Sequence, residues 1–179
     1  MKLSAKKMCI LPEKNLRPTT SKVKESLFNI VQFDVKNSVF LDLFAGTGQI
    51  GLEAANRKAK KIIFVEKDNL IFKKLQYNIN KTRHFFLNSE LEIFHCDAFE
   101  FVKNFTQKID IAFLDPPYYN NILINILPNI ICIMNKNGII ITESLYKFNQ
   151  IQKIEKFQLQ KRYKYGRISL NLYLSNFME

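Results

Sequence analysis

The chain has few of the residues that announce metal, redox or secretory chemistry. Its 179 residues include three cysteines, two histidines and five glycines. Cys9, Cys96 and Cys132 are odd in number, widely spaced and free of any Cys-x-x-Cys or Cys/His ligand pattern, which argues against a disulfide framework and leaves reduced, packing thiols. His84 and His95 stand alone, so no metal is expected. No apolar run approaches the ~18 residues of a membrane-spanning helix. The first residues, "MKLSAKKMCILPEKN", lack the apolar stretch and small-residue cleavage site of a signal peptide. The expectation is a cytoplasmic monomer with no membrane contact. Internal repeats, low-complexity tracts and Pro/Gly/Ser linkers are absent too. The length suits one domain, residues 1–179, in which 1–35 form a basic N-terminal segment and a leading helix.

Acidic residues are also scarce: 16 Asp and Glu face 27 Lys and Arg, for a net charge of +11. That imbalance favours a polyanionic partner such as nucleic acid. A composition rich in lysine and asparagine accounts for part of it, so the placement of the lysines carries more meaning than their number.

What is present alternates between short apolar runs and amphipathic stretches, the pattern of βαβ units around a parallel sheet. Val23, Leu27, Ile30 and Val31 recur at helical spacing after "RPTT" at 17–20. Strands are predicted at 39–44, 61–66, 90–95, 109–115 and 137–144, the last after an Asn-Gly turn. Helices are predicted at 49–58, 68–81, near Asp97 and at 120–134, the last broken or bent near Pro128. The tail runs "IQKIEKFQLQKRY" and "ISLNLYL" read as a closing antiparallel pair.

Between the first strand and its helix, "AGTGQIG" sets Gly46, Gly48 and Gly51 in G-x-G-x-x-G spacing, and Glu66 ends the next strand twenty residues on. Glycines let a backbone approach a nucleoside closely, and a carboxylate at that strand end accepts both ribose hydroxyls. Two further acids favour S-adenosylmethionine over a nicotinamide. Asp42, inside the first strand, meets a cofactor amino group directly or through water and would repel a pyrophosphate. Asp97, after the third strand, is placed to accept from an adenine amine. Capping or solvent exposure is the plain alternative for both acids.

The fourth strand ends in "LDPPY" at 114–118. In an open α/β sheet that end faces the ligand crevice at the switch point, so Asp115 faces the cofactor cleft. Pro116 and Pro117 bring no N–H groups and stiffen the turn, leaving a carboxylate and carbonyls as acceptors. Such a surface matches an amino group. Accepting both of its hydrogens, from Asp115 and the Pro116 carbonyl, favours a pyramidal nitrogen whose lone pair is free for a methyl. Tyr118 is suited to stack on a base taken out of its helix. The plain alternative is a strand stop with Tyr118 in the core.

"LDLFAGTGQIG", "VEKD", "CDAF" and "LDPPY" together resemble the ordered motifs of class I S-adenosylmethionine-dependent amino-methyltransferases. "LRPTTSKVKESLFNIV" at 16–31 is similar to the signature of the bacterial RsmD family of 16S rRNA guanine-N2 methyltransferases. The resemblance implies an α/β, Rossmann-like class I methyltransferase fold: a seven-stranded, mostly parallel sheet with an antiparallel C-terminal strand and helices on both faces. It implies S-adenosyl-L-methionine as cofactor and 16S rRNA in the small ribosomal subunit, or its assembly intermediate, as partner. By motif match, Asp115, Pro116, Pro117 and Tyr118 form the target-amine site. The cofactor falls to Asp42, Phe44, Ala45, Gly46, Thr47, Gly48, Glu66, Lys67, Asp97, Ala98 and Asp115. Arg17, Thr19, Thr20, Lys22 and Lys24, with a second basic cluster at Arg162, Lys164 and Arg167, are the expected RNA contacts. Where the family usually has a glycine-containing basic hairpin ahead of "RPTT", this chain has "MKLSAKKMCILPEKN". An adenine-N6 methyltransferase and a non-catalytic RNA-binding assembly factor are the competing readings.

Overall fold

The computed structural model describes residues 21–117 and 122–175. Arg17, Thr19, Thr20 and Tyr118 lie outside them. Eight strands form one sheet in the order β3-β2-β1-β4-β5-β8-β7-β6. Strands β1 (Val39–Asp42), β2 (Lys61–Glu66), β3 (Glu90–His95), β4 (Ile109–Leu114) and β5 (Met134–Leu145) pair in parallel. Strands β6 (Lys153–Ile154), β7 (Phe157–Tyr165) and β8 (Ile168–Ser175) complete it with antiparallel pairing. Helices α1 (Ser21–Ile30), α2 (Gln49–Asn56), α3 (Asn69–Thr82), α4 (Ala98–Asn104) and α5 (Ile122–Ile130) cover its two faces.

Strands β1, β2 and β4 are buried on both sides, which is why they read as continuous apolar runs, whereas the edge strand β3 is only half-buried. Ile62 and Phe64 face the α1, α2 and α3 side, while Ile63 and Val65 face the side of α4 and α5, all 1% exposed or less. Helix α1 adds Val23 and Leu27 of the predicted stripe to the first of these cores, together with Phe28, which the stripe did not include.

Three expectations are corrected. The sheet has eight strands, because the run at 151–163 turns back on itself at Glu155, with φ of 47°, and Ile154 pairs with Phe157. The added strand is the two-residue β6; β7 and β8 form the antiparallel pair expected of the tail, and β8 runs antiparallel to β5. Strand β5 begins at Met134, and Asn137-Gly138 lies within it, beside a register shift opposite Ile109 and Ile111. An isolated glycine marks a strand irregularity as readily as a turn. Helix α5 continues through Pro128 and gives way to a short 3-10 turn at Ile131–Ile133. Among the described residues, no helix is long and apolar enough to cross a membrane.

Candidate active site

Strand order reverses between β1 and β4, where β3-β2-β1 run one way and β4-β5 the other. Crevices open at such switch points, beyond the carboxyl ends of the strands. Asp42 pairs with Phe64 on β2 and Phe113 on β4, so the glycine turn, Glu66 and Asp115 leave three adjacent strands at the same end of the sheet.

The glycines there do different work. Gly46 and Gly48 hold φ of 54° and 84°, in the left-handed region that favours glycine. A methyl on Gly46 would meet nothing within 4 Å, whereas one on Gly51 would lie 2.2 Å from the Phe64 ring. Gly46 thus leaves an open backbone edge, and Gly51 lets α2 lie close on β2.

Three side chains pin this turn. Glu66 Oε2 accepts from the Gly46 N–H at 2.9 Å, and its Oε1 accepts from the Asp68 N–H at 2.8 Å. Asn78 of α3 donates to the Thr47 carbonyl at 2.9 Å. Asp42 Oδ2 accepts from the Gly51 N–H at 3.0 Å. Gly48 at the N-cap of α2 has no side chain to offer, and Asp42 supplies the missing acceptor from the strand. Asp42 is 2% exposed, and burial, with Glu66 nearby, raises its pKa to about 7 against the pull of the Gly51 bond. The carboxylate faces inward and fixes the helix.

Asp97 caps α4 through the Phe99 N–H at 2.8 Å and stands 3.7 Å from the Lys67 ammonium. Its side chain stays 46% exposed, so capping leaves it open to the crevice. Ala98 is buried in the core under α4, and Phe44 packs partly against the same core. The Ala45 N–H is bonded to the Val65 carbonyl at 2.9 Å. Asp115 is half-buried, Pro116 buried and Pro117 exposed. Among the described residues no group of three metal-ligating side chains gathers.

The basic cluster on β7 divides. Lys164 and Arg167 are exposed, as Lys22 is on α1, while Lys24 is half-buried. Arg162 is engaged inside the protein: it donates to Asn171 Oδ1 at 3.2 Å and to the carbonyls of Tyr146 and Phe148 at 2.7 and 3.2 Å. Tyr163 and Tyr165 are partly buried against the core, with the Lys161 ammonium 4.9 Å from the Tyr163 ring. The internal work of Arg162 and Asn78 was not read from the sequence. A polar residue at the edge of a buried helical stripe, beside Leu75 and Ile79, was the available signal for Asn78.

Comparisons with known proteins give the family and the fold. The family model described as "Conserved hypothetical protein 95" matches residues 2–174. Ribosomal RNA small subunit methyltransferase D of Haemophilus influenzae is 34% identical over 119 residues, 65% of this chain and 61% of that protein. The chain thus matches about three-fifths of the length of that relative. The protein of the same name from Buchnera aphidicola of Baizongia pistaciae is 29% identical over 174 residues, 93% of this chain and 85% of its own. A putative methyltransferase from Escherichia coli, yhhF, superposes with a TM-score of 0.81 at 25% identity, covering 93% of this chain and 91% of its own. With a family model spanning nearly its whole length, and with the fold and ordered motifs in place, the chain belongs to the Conserved hypothetical protein 95 family, the RsmD family that its motifs resemble.

Proposed function

We propose that the protein transfers a methyl group from S-adenosylmethionine to the exocyclic N2 amine of a guanine in small-subunit rRNA. The observation that carries this reading is the pairing of two acceptor surfaces at the switch point. Glu66 lies bound to the glycine turn, and the Asp115-Pro116-Pro117 turn ends the neighbouring strand. The residues present suit the cofactor. Gly46 leaves open space above its backbone. A carboxylate has about four acceptor positions, so Glu66 retains room for ribose hydroxyls after its bonds to Gly46 and Asp68. Asp97, and the backbone from Phe44 to Gly48, complete the cradle, with Lys67 at its edge. When bound, the sulfonium supplies an activated methyl, so no metal and no covalent enzyme nucleophile is called for.

The chain's own part is orientation and electrostatics. Asp115 and the Pro116 carbonyl accept the two amine hydrogens, which turns the nitrogen lone pair toward the methyl. Buried Pro116 and the missing N–H groups of both prolines keep competing donors away. Tyr118 is assigned to stacking on the base. Lys22, Lys24, Lys164 and Arg167, with Arg17, Thr19 and Thr20, are assigned to the RNA backbone. The names carried by the relatives support small-subunit rRNA as the substrate class.

The test is incorporation of labelled methyl into small subunits that lack the modification, against free rRNA, followed by mass spectrometry of the nucleosides. N2-methylguanosine is expected. N6-methyladenosine would overturn the base, and failure to bind S-adenosylmethionine in calorimetry would return the protein to the role of assembly factor.

A further inference from the structure

Beside the Asp115 turn lies a cavity of about 250 Å³ that none of the proposed cofactor residues lines except through that turn. Its floor is Pro116 and Pro117, its apolar walls include Leu123, Leu127 and Ile151, and Phe148 stands at its rim. Pockets that bury drug-sized ligands run to ~300–1,000 Å³. This one is too small for a nucleoside cofactor with its amino-acid tail, and suits a single flat ring system.

The rim is built with unusual care for a surface loop. Phe148 is 42% exposed, yet its backbone is fixed on both sides. Its N–H donates to the Leu145 carbonyl at 3.0 Å, and its carbonyl accepts from Arg162 at 3.2 Å and from Gln150 at 3.1 Å. The preceding turn is held as well: the Tyr146 N–H donates to the Arg167 carbonyl, and Arg162 lies over the Tyr146 ring at 4.8 Å. Arg162 is braced in turn by Asn171, which also bonds Thr142 and Ser144, and Ser144 reaches the cavity wall. A half-exposed aromatic ring carried on a backbone held in this way, beside an apolar slot, makes a stacking platform. Cations stand around it: Lys147 lies 5.5 Å from the Phe148 ring, and Lys164 lies 4.4 Å from Tyr146.

Resting on the methyltransferase reading above, we propose that this cavity receives the nucleobase whose amine is methylated, with Phe148 as a stacking partner in addition to Tyr118 and Arg162 as the positioning residue that holds the Phe148 backbone at the rim. RNA affinity comes largely from backbone contacts, whereas seating the base is a later equilibrium within the complex. Loss of the platform therefore lowers the rate at saturating RNA more than it weakens binding.

Single-turnover methyl transfer to unmodified small subunits tests this, with cofactor affinity and thermal midpoint measured beside it. Phe148→Ala should slow transfer roughly tenfold to a hundredfold, in line with base–aromatic stacking, with the half-saturating subunit concentration changed less than about threefold. Phe148→Tyr should restore the rate. Arg162→Lys should also slow transfer in the native background and have little further effect beside Phe148→Ala, since a residue acting through another shows no independent effect. Transfer by Phe148→Ala at the wild-type rate overturns the proposal. So does an Arg162→Lys variant that weakens subunit binding and flattens its salt dependence, the mark of a phosphate contact. Wild-type protein that labels no RNA removes the methyltransferase reading itself, a result distinct from either.

Discussion

The two ends of the sheet solve the problem of placing a loop in opposite ways. In the parallel part, β1, β2 and β4 are packed in apolar cores, and ligand-facing groups appear only where the strands stop. In the antiparallel part a polar network is set into the core: Thr142, Ser144, Ser169 and Asn171 are buried between β5 and β8 beside Leu170 and Tyr173 and are bonded to one another. Where a loop follows a buried parallel strand, the order of strands decides its position. Where the following segment is a hairpin edge, side-chain hydrogen bonds reaching Arg162 do that job. Polar networks of this kind are specific only while every member is satisfied.

Substitutions at the two ends should therefore fail differently. The largest effect is expected at Asp115→Ala, where methyl transfer should fall by roughly a hundredfold or more, while the denaturant midpoint and cofactor binding in calorimetry stay near wild type. Retained transfer would show that the strand-end turn is merely a strand stop.

Asp42 should make the parallel end sensitive to pH. Its folded pKa of about 7 lies above the ordinary value of 3.8, so between these values the folded chain holds a proton that the unfolded chain has released. Its favourable contribution is present below pH 4 and lost as pH rises through 7, stability falling by up to about 1.4 kcal/mol for each pH unit crossed. Asp42→Asn keeps an acceptor for the Gly51 N–H. Urea titrations at several pH values should show the difference between wild type and variant growing in the variant's favour from pH 4 to 7, then levelling. A constant difference would mean that Asp42 is ionised throughout.

Gly51→Ala should cost about 1–3 kcal/mol through overpacking against Phe64, visible as a lower denaturant midpoint. Asn171→Leu should cost about 1–2 kcal/mol by leaving buried partners unpaired. It should also slow methyl transfer, whereas a transfer rate that tracks stability alone would set the polar network apart from the site.

The sequence was most legible where local and global signals agree. Lys61–Glu66 was placed to the residue because an apolar, β-branched run is bounded there by charge, and Glu90–His95 because a short alternating run precedes the Asp97 cap. The switch point followed from the order of those runs. The β6–β7 hairpin was hidden, since Glu155 and Lys156 carry none of the glycine or asparagine that marks a tight turn. The bond from the Gly51 N–H to Asp42 was not read, because spacing places a carboxylate near a turn without saying which backbone amide it meets. The bonds of Arg162 were hidden for the same reason: charge is visible in a sequence, and a backbone carbonyl acceptor 14 or 16 residues away is not.

The bonds from Glu66 to Gly46, Asp42 to Gly51 and Asn78 to Thr47 mean that the glycine turn is already set before any ligand arrives. Binding then need not order the loop, and the free energy that ordering would absorb stays available for affinity. The Gly46 and Gly51 amides should accordingly exchange slowly with solvent deuterium in the ligand-free protein, as rigid there as the strands on either side.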